Sequence, residues 1–110
     1  MNISEFAREI KAEILAMPDP DAEILGGYCG DLLSWVMGRA ESGQVWITIM
    51  TNINIVAVAS LADVSAILLT ESVEVDDAIV KKAEEQGINI LRTSLASFDA
   101  AIAVGKACGR

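Results

Sequence analysis

The spacing of apolar positions divides the chain into short elements. From Ser4 to about Leu15, Phe6, Ile10 and Ile14 recur at i, i+4 and i+8 with charges between them, which predicts an amphipathic helix capped by Ser4. Pro18 and Pro20 in "MPDPDA" stop it, because proline cannot continue a helical ladder. "EIL", Glu23 to Leu25, predicts a short strand feeding a glycine-rich turn, "GGYCG". Asp31 then stands as the cap of "DLLSWVMGRA", where Leu32, Leu33, Val36, Met37 and Ala40 form one face and Trp35 falls on the flank beside Arg39. Gly43 closes that unit as a left-handed terminator.

"VWITIM" predicts a buried strand. "TNINIVAVASLAD" mixes strand-favouring Val and Ile with helix-favouring Ala and Leu; it is assigned as a buried helix over about Ile53 to Ala62, with Thr51 or Asn52 as cap. "SAILLT" reads as a strand, and "VDDAIVKKAEEQG" as a helix capped by Asp76 and ended by Gly87. "INILRT" is the next strand, and "SLASFDAAIAVGKACG" a last helix with Phe98 and Ile102 at i, i+4. One helix followed by four β–α repeats predicts a single α/β domain over residues 1–110. Its sheet is mostly parallel, of about four strands, with helices on its faces.

Composition changes this picture in three ways. The 110 residues are 53% hydrophobic, which raises the question of a membrane span. The most apolar stretch, Ile55 to Leu69, is shorter than the roughly 20 residues a span needs and carries Asp63. Glu5, Glu9 and Glu13 in the first segment argue against a signal peptide, so a cytoplasmic location is expected. The apolar surplus instead points to surface covered by a partner or a second copy, most simply a homodimer. A net charge of -8 argues against binding to nucleic acid or an anionic membrane surface.

The absence of histidine removes Ser-His-Asp and Cys-His catalysis and every His-containing metal site. Cys29 and Cys108, far apart and without a CxxC, make neither a zinc site nor a disulfide framework, and both are expected to be reduced and structural. No metal and no cofactor is implied.

Candidate chemistry lies at the carboxyl ends of the predicted strands, where open parallel sheets bind ligands. Gly26, Gly27 and Tyr28 follow the first strand, and Thr48, Thr51, Asn52 and Asn54 end or follow the second; the third ends in Thr70 and the fourth in Thr93-Ser94. The functional reading is a polar crevice for a small polar or anionic ligand. The competing reading is that Ser, Thr, Asn and Asp are simply what helix caps prefer. The glycine turn lacks the lysine of a phosphate loop, and Tyr28 replaces the second glycine of a dinucleotide fingerprint. It is a ligand cradle or a tight corner. Trp35 is either core edge or interface.

In "GGYCGDLLSWVMG", "QVWITIMTNINIVAVASL" and "AILLT…KKAEEQGINIL" the chain resembles the DRTGG-domain family, in particular its small stand-alone members found near genes for iron-only hydrogenases and anti-sigma-type ATPases. The resemblance runs from about Ile24 to Gly105 and rests on Gly26, Gly27, Tyr28, Asp31, Thr48, Thr51, Asn54 and Ile55. It implies a domain similar to the N-terminal domain of HPr kinase/phosphorylase and the central region of long phosphotransacetylases. Such domains are regulatory rather than catalytic and tend to self-associate. The literal D-R-T-G-G string is absent, and Trp35 stands where a polar residue is expected.

Three readings follow. The first is a non-catalytic regulatory or ligand-sensing domain acting on a partner protein, an ATPase- or kinase-like regulator in redox or hydrogen metabolism. The second is a pure protein-interaction adaptor that docks through Trp35. The third is a small enzyme using carboxylate or Cys29 chemistry.

Overall fold

The computed structural model describes residues 1–110. In chain order the elements are α1 (Ile3–Glu9), β1 (Glu13–Ala16), β2 (Gly26–Cys29), α2 (Leu33–Arg39), β3 (Gln44–Thr48), α3 (Asn54–Ala62), β4 (Ala66–Leu69), α4 (Asp77–Gln86), β5 (Ile90–Arg92) and α5 (Ser97–Ala107). They build one five-stranded sheet of order β1-β5-β4-β3-β2. Strands β2 to β5 run parallel, and β1 lies antiparallel to β5 at the edge.

Strands β2, β3, β4 and β5 advance one place at a time in a single direction. Right-handed crossovers then put α2, α3 and α4 on the same face. Packing agrees: Val36, Ile55, Ala59, Ile79 and Ala83 from those helices meet Trp46, Ile67, Leu69 and Ile90 of the sheet. On the other face, Ile3 and Phe6 of α1 and Ala100 and Val104 of α5 cover Val45, Ile47, Ala66, Leu68 and Leu91. Alternate residues of β3 and β4 serve opposite cores, which is why both strands read as continuous apolar runs.

The α/β class, α3, α4, α5 and strands β3 to β5 match the sequence expectation. Gly87 ends α4 at φ +76. The remaining points differ, each for a physical reason.

The sheet has five strands rather than about four. The first helix is capped by Asn2, not Ser4, through a reciprocal pair: Glu5 N–H donates to Asn2 Oδ1 (2.8 Å) and Asn2 N–H to Glu5 Oε1 (3.0 Å). It stops at Glu9, Lys11 turns the chain at φ 55, and Glu13–Ala16 becomes β1. The i+8 position of Ile14 was coincidental, since Ile14 lies on a strand and is largely exposed.

Gly26 and Gly27 are strand residues, not a turn, while Glu23–Leu25 precedes the strand. A Cβ on Gly27 would stand 2.8 Å from Val104 Cγ1, so this glycine is what lets α5 lie close to the sheet.

Asp31 is not a cap: α2 starts after Leu32 with no side-chain cap, and the Asp31 carboxylate turns toward β3. The α2 stripe is also only partly used. Val36 is buried and Leu33 and Ala40 half-buried, while Leu32 and Met37 stay exposed, because α2 covers the sheet edge and nothing packs beyond it. Gly43 takes the left-handed conformation (φ +81), but in the turn into β3; the α2 C-cap is Ala40, in extended conformation.

Candidate functional site

The carboxyl edge of the sheet has two ends with different character. At the β2–β3 end, polar groups satisfy one another. Trp46 Nε1 donates to Gly30 O (2.8 Å). Asp31 Oδ1 accepts from Thr48 Oγ1 (2.8 Å) and from Ile49 N–H (3.1 Å), and Thr48 Oγ1 accepts from Met50 N–H (3.1 Å). Asn52 Oδ1 accepts from Asn54 N–H (2.9 Å) in a local turn ahead of α3, whose N-cap is Ile53, without a side-chain cap, rather than Thr51 or Asn52. These contacts lock the loop after β2 to the loop after β3.

The structure brings Tyr28, Thr48, Thr51, Asn52 and Asn54 to this end, whereas Gly26 and Gly27 sit further down β2, Gly26 beside Gln44 and Gly27 under α5. Thr48 is buried and spends its hydroxyl on Asp31 and Met50. Tyr28 is half-buried, packed on the α2–α4 side, with its ring closing over Gly30. Asn52 and Asn54 are exposed. None of the cavities is lined by Tyr28, Thr48, Thr51, Asn52 or Asn54.

Trp35 is half exposed, with the Arg39 guanidinium 3.7 Å from its ring centroid, a cation–π pair that anchors the indole on the surface. Leu32, Met37, Ile49 and Ile53 are also exposed on α2 and on the segment joining β3 to α3.

Both cysteines line a cleft of about 100 Å³ between β2 and α5, together with Gly27 and Arg110. Both are free thiols. Partial burial, and then the charge of Asp31, push the Cys29 thiol above its ordinary range. A raised pKa means less thiolate at any given pH, so Cys29 is a poor nucleophile at neutrality. Alkylation by iodoacetamide, followed by mass spectrometry, is expected to be slower at Cys29 than at a cysteine in an unstructured peptide at pH 7.5, with the gap closing at more alkaline pH. Faster labelling than the peptide at pH 7.5 would show an activated thiol.

The β4–β5 end is different. After β4 the chain leaves for the α2–α4 face, but after β5 it leaves for the opposite face, where α5 packs. The two loops stay bonded for two residues before they part for opposite faces, and such a switch is where open α/β sheets leave a crevice, here closed on its far side by the turn between α1 and β1. Its floor is a short ladder: Glu71 N–H donates to Leu95 O (3.0 Å) and Ser72 N–H to Thr93 O (3.0 Å). Thr70 Oγ1 and Ser97 Oγ lie 2.7 Å apart, and Glu71 Oε2 accepts from Ser97 N–H (3.3 Å) at the start of α5.

Glu71 (φ 60) and Ser72 (φ 55) are both left-handed, as is Lys11 across the crevice, so three of the four non-glycine residues with positive φ gather here. Such backbone costs of order 1–3 kcal/mol per residue and concentrates at functional sites. The crevice measures about 370 Å³ and is lined by Lys11, Glu13, Ser72, Arg92, Thr93 and Ser94, among others. Arg92 donates to both Glu13 carboxylate oxygens (2.9 and 2.7 Å), and Glu74 lies 3.7 Å away. The Glu13 hydrogen bond is the main reason its pKa is raised further, so the guanidinium stays charged.

Thr93 and Ser94 are legible in sequence as polar strand-end residues, but Lys11 and Arg92 are not among the predicted site residues. The available signal was Arg92 itself, the one charge in the apolar run "INILRT". No group of three His, Cys, Asp or Glu is placed to hold a metal ion, and no helix is long and apolar enough to cross a membrane.

A parallel sheet with one antiparallel edge strand, covered on both faces and cut by a polar switch crevice, defines a small three-layer α/β domain. The chain belongs to the DRTGG-domain family, whose profile matches residues 5–107. Among solved structures it is similar to the regulatory region, CBS and DRTGG domains, of Clostridium perfringens pyrophosphatase, crystallised with its activator diadenosine tetraphosphate. The TM-score is 0.75 at 15% sequence identity, a likeness of fold, and the match covers 96% of this chain but 46% of the clostridial one. No curated protein matches the sequence significantly.

Proposed function

We propose that the chain is a non-catalytic regulatory domain that senses a small polar or anionic ligand and acts on a partner protein. The observation that carries this reading is the β4–β5 crevice, a polar hollow lined by Lys11, Glu13, Ser72, Arg92, Thr93 and Ser94, with the Arg92 guanidinium held by Glu13. A sensor needs to convert occupancy into a change of surface. The crevice is suited to that, since its lining joins the turn between α1 and β1 (Ile10, Lys11, Glu13) to the loop after β5 that runs into α5, with Ser72 from the loop after β4. The clostridial relative, a regulatory region bound to a nucleotide activator, supports the same class of role and nominates nucleotides as first ligands to try.

Thermal shift with ATP, diadenosine tetraphosphate and acetyl phosphate tests the reading. A ligand at about a hundred times its dissociation constant stabilises by about 2.7 kcal/mol, which for a domain of this size is a rise in Tm of about 10 °C or more. Arg92→Gln is expected to abolish the shift, whereas Asn52→Ala leaves it intact. The reverse pattern would return the site to the Thr48–Asn54 end, and no shift across the panel would sink the sensing reading.

A specific observation favours the adaptor as second reading. Leu32, Trp35, Met37, Ile49 and Ile53 leave apolar surface exposed beside the polar Thr51, Asn52 and Asn54. An apolar centre with a polar rim suits a protein partner, for which an ATPase- or kinase-like regulator in redox or hydrogen metabolism remains our proposal. Cytoplasmic location and self-association complete the reading, the latter because apolar side chains are also exposed on the opposite face, along α5.

A further inference from the structure

The polar lining of the β4–β5 crevice is unbalanced. Lys11, Ser72, Arg92, Thr93 and Ser94 all carry hydrogen-bond donors, and the Glu13 carboxylate is the one negative charge among the lining residues. Two of the eight basic residues of a chain with net charge -8 thus meet at one hollow. Lys11 belongs to none of the ion pairs. The exposed hydroxyls of Ser72 and Ser94 make no hydrogen bond within the protein, and Thr93 Oγ1, which accepts from Leu95 N–H (3.2 Å), keeps its own proton free.

Arg92 alone is engaged, and its partners hold it unequally. Its Nη2 donates to both oxygens of Glu13, its register partner on β1 (2.9 and 2.7 Å), while Nη1 donates to Val73 O (3.4 Å). The Arg92 side chain is 21% exposed and that of Glu13 55%. The acid can therefore swing into water, whereas the base stays where the sheet and Val73 O keep it. Glu74, 3.7 Å from Nη1, is almost wholly in solvent already.

We propose that the crevice receives a phosphoryl group, and that Glu13 is a built-in competitor which the ligand displaces from Arg92. The inference rests on the reading of this crevice as a sensing site and names both the ligand class and the switch. Charge-assisted bonds from a guanidinium suit carboxylate and phosphate alike. A ligand carboxylate would merely exchange like for like with Glu13. A phosphoryl group brings about -1.5 to -2 charges at neutral pH and three acceptor oxygens, enough to engage Arg92, Lys11 and the hydroxyls together. So exposed an ion pair holds weakly in water, which makes the exchange inexpensive. The volume of about 370 Å³ leaves room for a small organic body on the phosphate. Once the dianion is seated, Glu13 faces like charge and leaves. Occupancy thereby breaks the ion pair between β1 and β5.

Titration of the full chain with inorganic phosphate, followed by ¹H–¹⁵N NMR with acetate as the carboxylate control, tests this. Saturable shifts are expected at the amides of Lys11, Ser72, Thr93 and Ser94 with phosphate and not with acetate. Glu13→Gln, its spectrum otherwise that of the wild type, is expected to bind phosphate about fivefold more tightly, the upper end for removing an exposed charge pair. Arg92→Gln is expected to lose binding. Phosphate binding seen only in Glu13→Gln would be the same competition at its strongest and would support the proposal. Wild-type binding that Glu13→Gln leaves unchanged or weakens would overturn the displacement of Glu13 and leave the sensing reading standing. Equal binding of acetate would overturn the phosphoryl assignment. Shifts confined to other parts of the domain, or none in either protein, would overturn the site, and the thermal-shift panel would then decide the sensing reading separately.

Discussion

Replacing Trp46 by alanine is expected to destabilise the domain by about 3–5 kcal/mol, the range for truncating a large buried aromatic. Trp46 is fully buried at the centre of β3, flanked in register by Tyr28 of β2 and Ile67 of β4. It lies in the α2–α4 core together with Val36 and Ile55, and no neighbour can close the space it leaves without moving a helix. Set against a total of about 5–15 kcal/mol, the loss is a large fraction of the stability. At about 4–8 °C per kcal/mol, the melting temperature followed by circular dichroism should fall by about 12–40 °C. Trp46→Phe separates packing from hydrogen bonding. It keeps most of the ring but leaves Gly30 O without its indole donor, at a cost of about 1–3 kcal/mol. A loss below about 1 kcal/mol for Trp46→Ala would mean that this face repacks freely, contrary to the tight packing of protein interiors. The variant also assigns fluorescence, because the only other tryptophan, Trp35, is on the surface.

How much of this was legible beforehand depends on where each determinant lies in the chain. Helix α4 and strands β3 to β5 were readable because their signals are local: caps, a terminating glycine and β-branched runs. Strand β1 was not, because four residues carry too little periodicity and its pairing comes from β5 at the far end of the chain, through contacts such as Glu13 with Arg92. The Gly26-Gly27 pair was misread for the same reason. Glycine is a poor strand former, and only the approach of Val104 from α5 explains its presence in one. Asp31 carries the signature of a cap, yet Thr48 offers it a partner that no local pattern reveals.

The site divides along the same line. That polar residues gather at the carboxyl edge was legible from the β–α order. Which crevice opens there depends on α4 and α5 packing on opposite faces, a consequence of tertiary packing. The left-handed Glu71 and Ser72 carry no glycine to announce them.

The second large effect is expected at the opposite, amino edge of the sheet. Asn89, just before β5, is buried and uses its whole amide: Nδ2 donates to Asp19 O (2.7 Å) and Ser65 O (2.9 Å), while Oδ1 accepts from Asp19 N–H (2.9 Å). One side chain thus ties the loop between β1 and β2 to the residues that open β4 and β5. Asn89→Ala strands these backbone groups. Ser65 O loses a buried partner, at about 1–3 kcal/mol, while the Asp19 groups, nearer the surface, are partly recovered by water. The expected total is about 3 kcal/mol. Asn89→Asp is expected to be no better at pH 7, since a carboxylate keeps the acceptor for Asp19 N–H but sets negative charge against two carbonyl oxygens that need a donor. Hydrogen exchange supplies the local readout. The Asp19 amide should lose protection in Asn89→Ala, while the Ser72 amide, bonded to Thr93 O at the other edge, keeps its own. If both amides open together, the two edges form one cooperative unit. If only Asp19 opens, the amino edge acts as the fixed base from which the β4–β5 crevice can respond to a ligand, the division of labour a sensing domain requires.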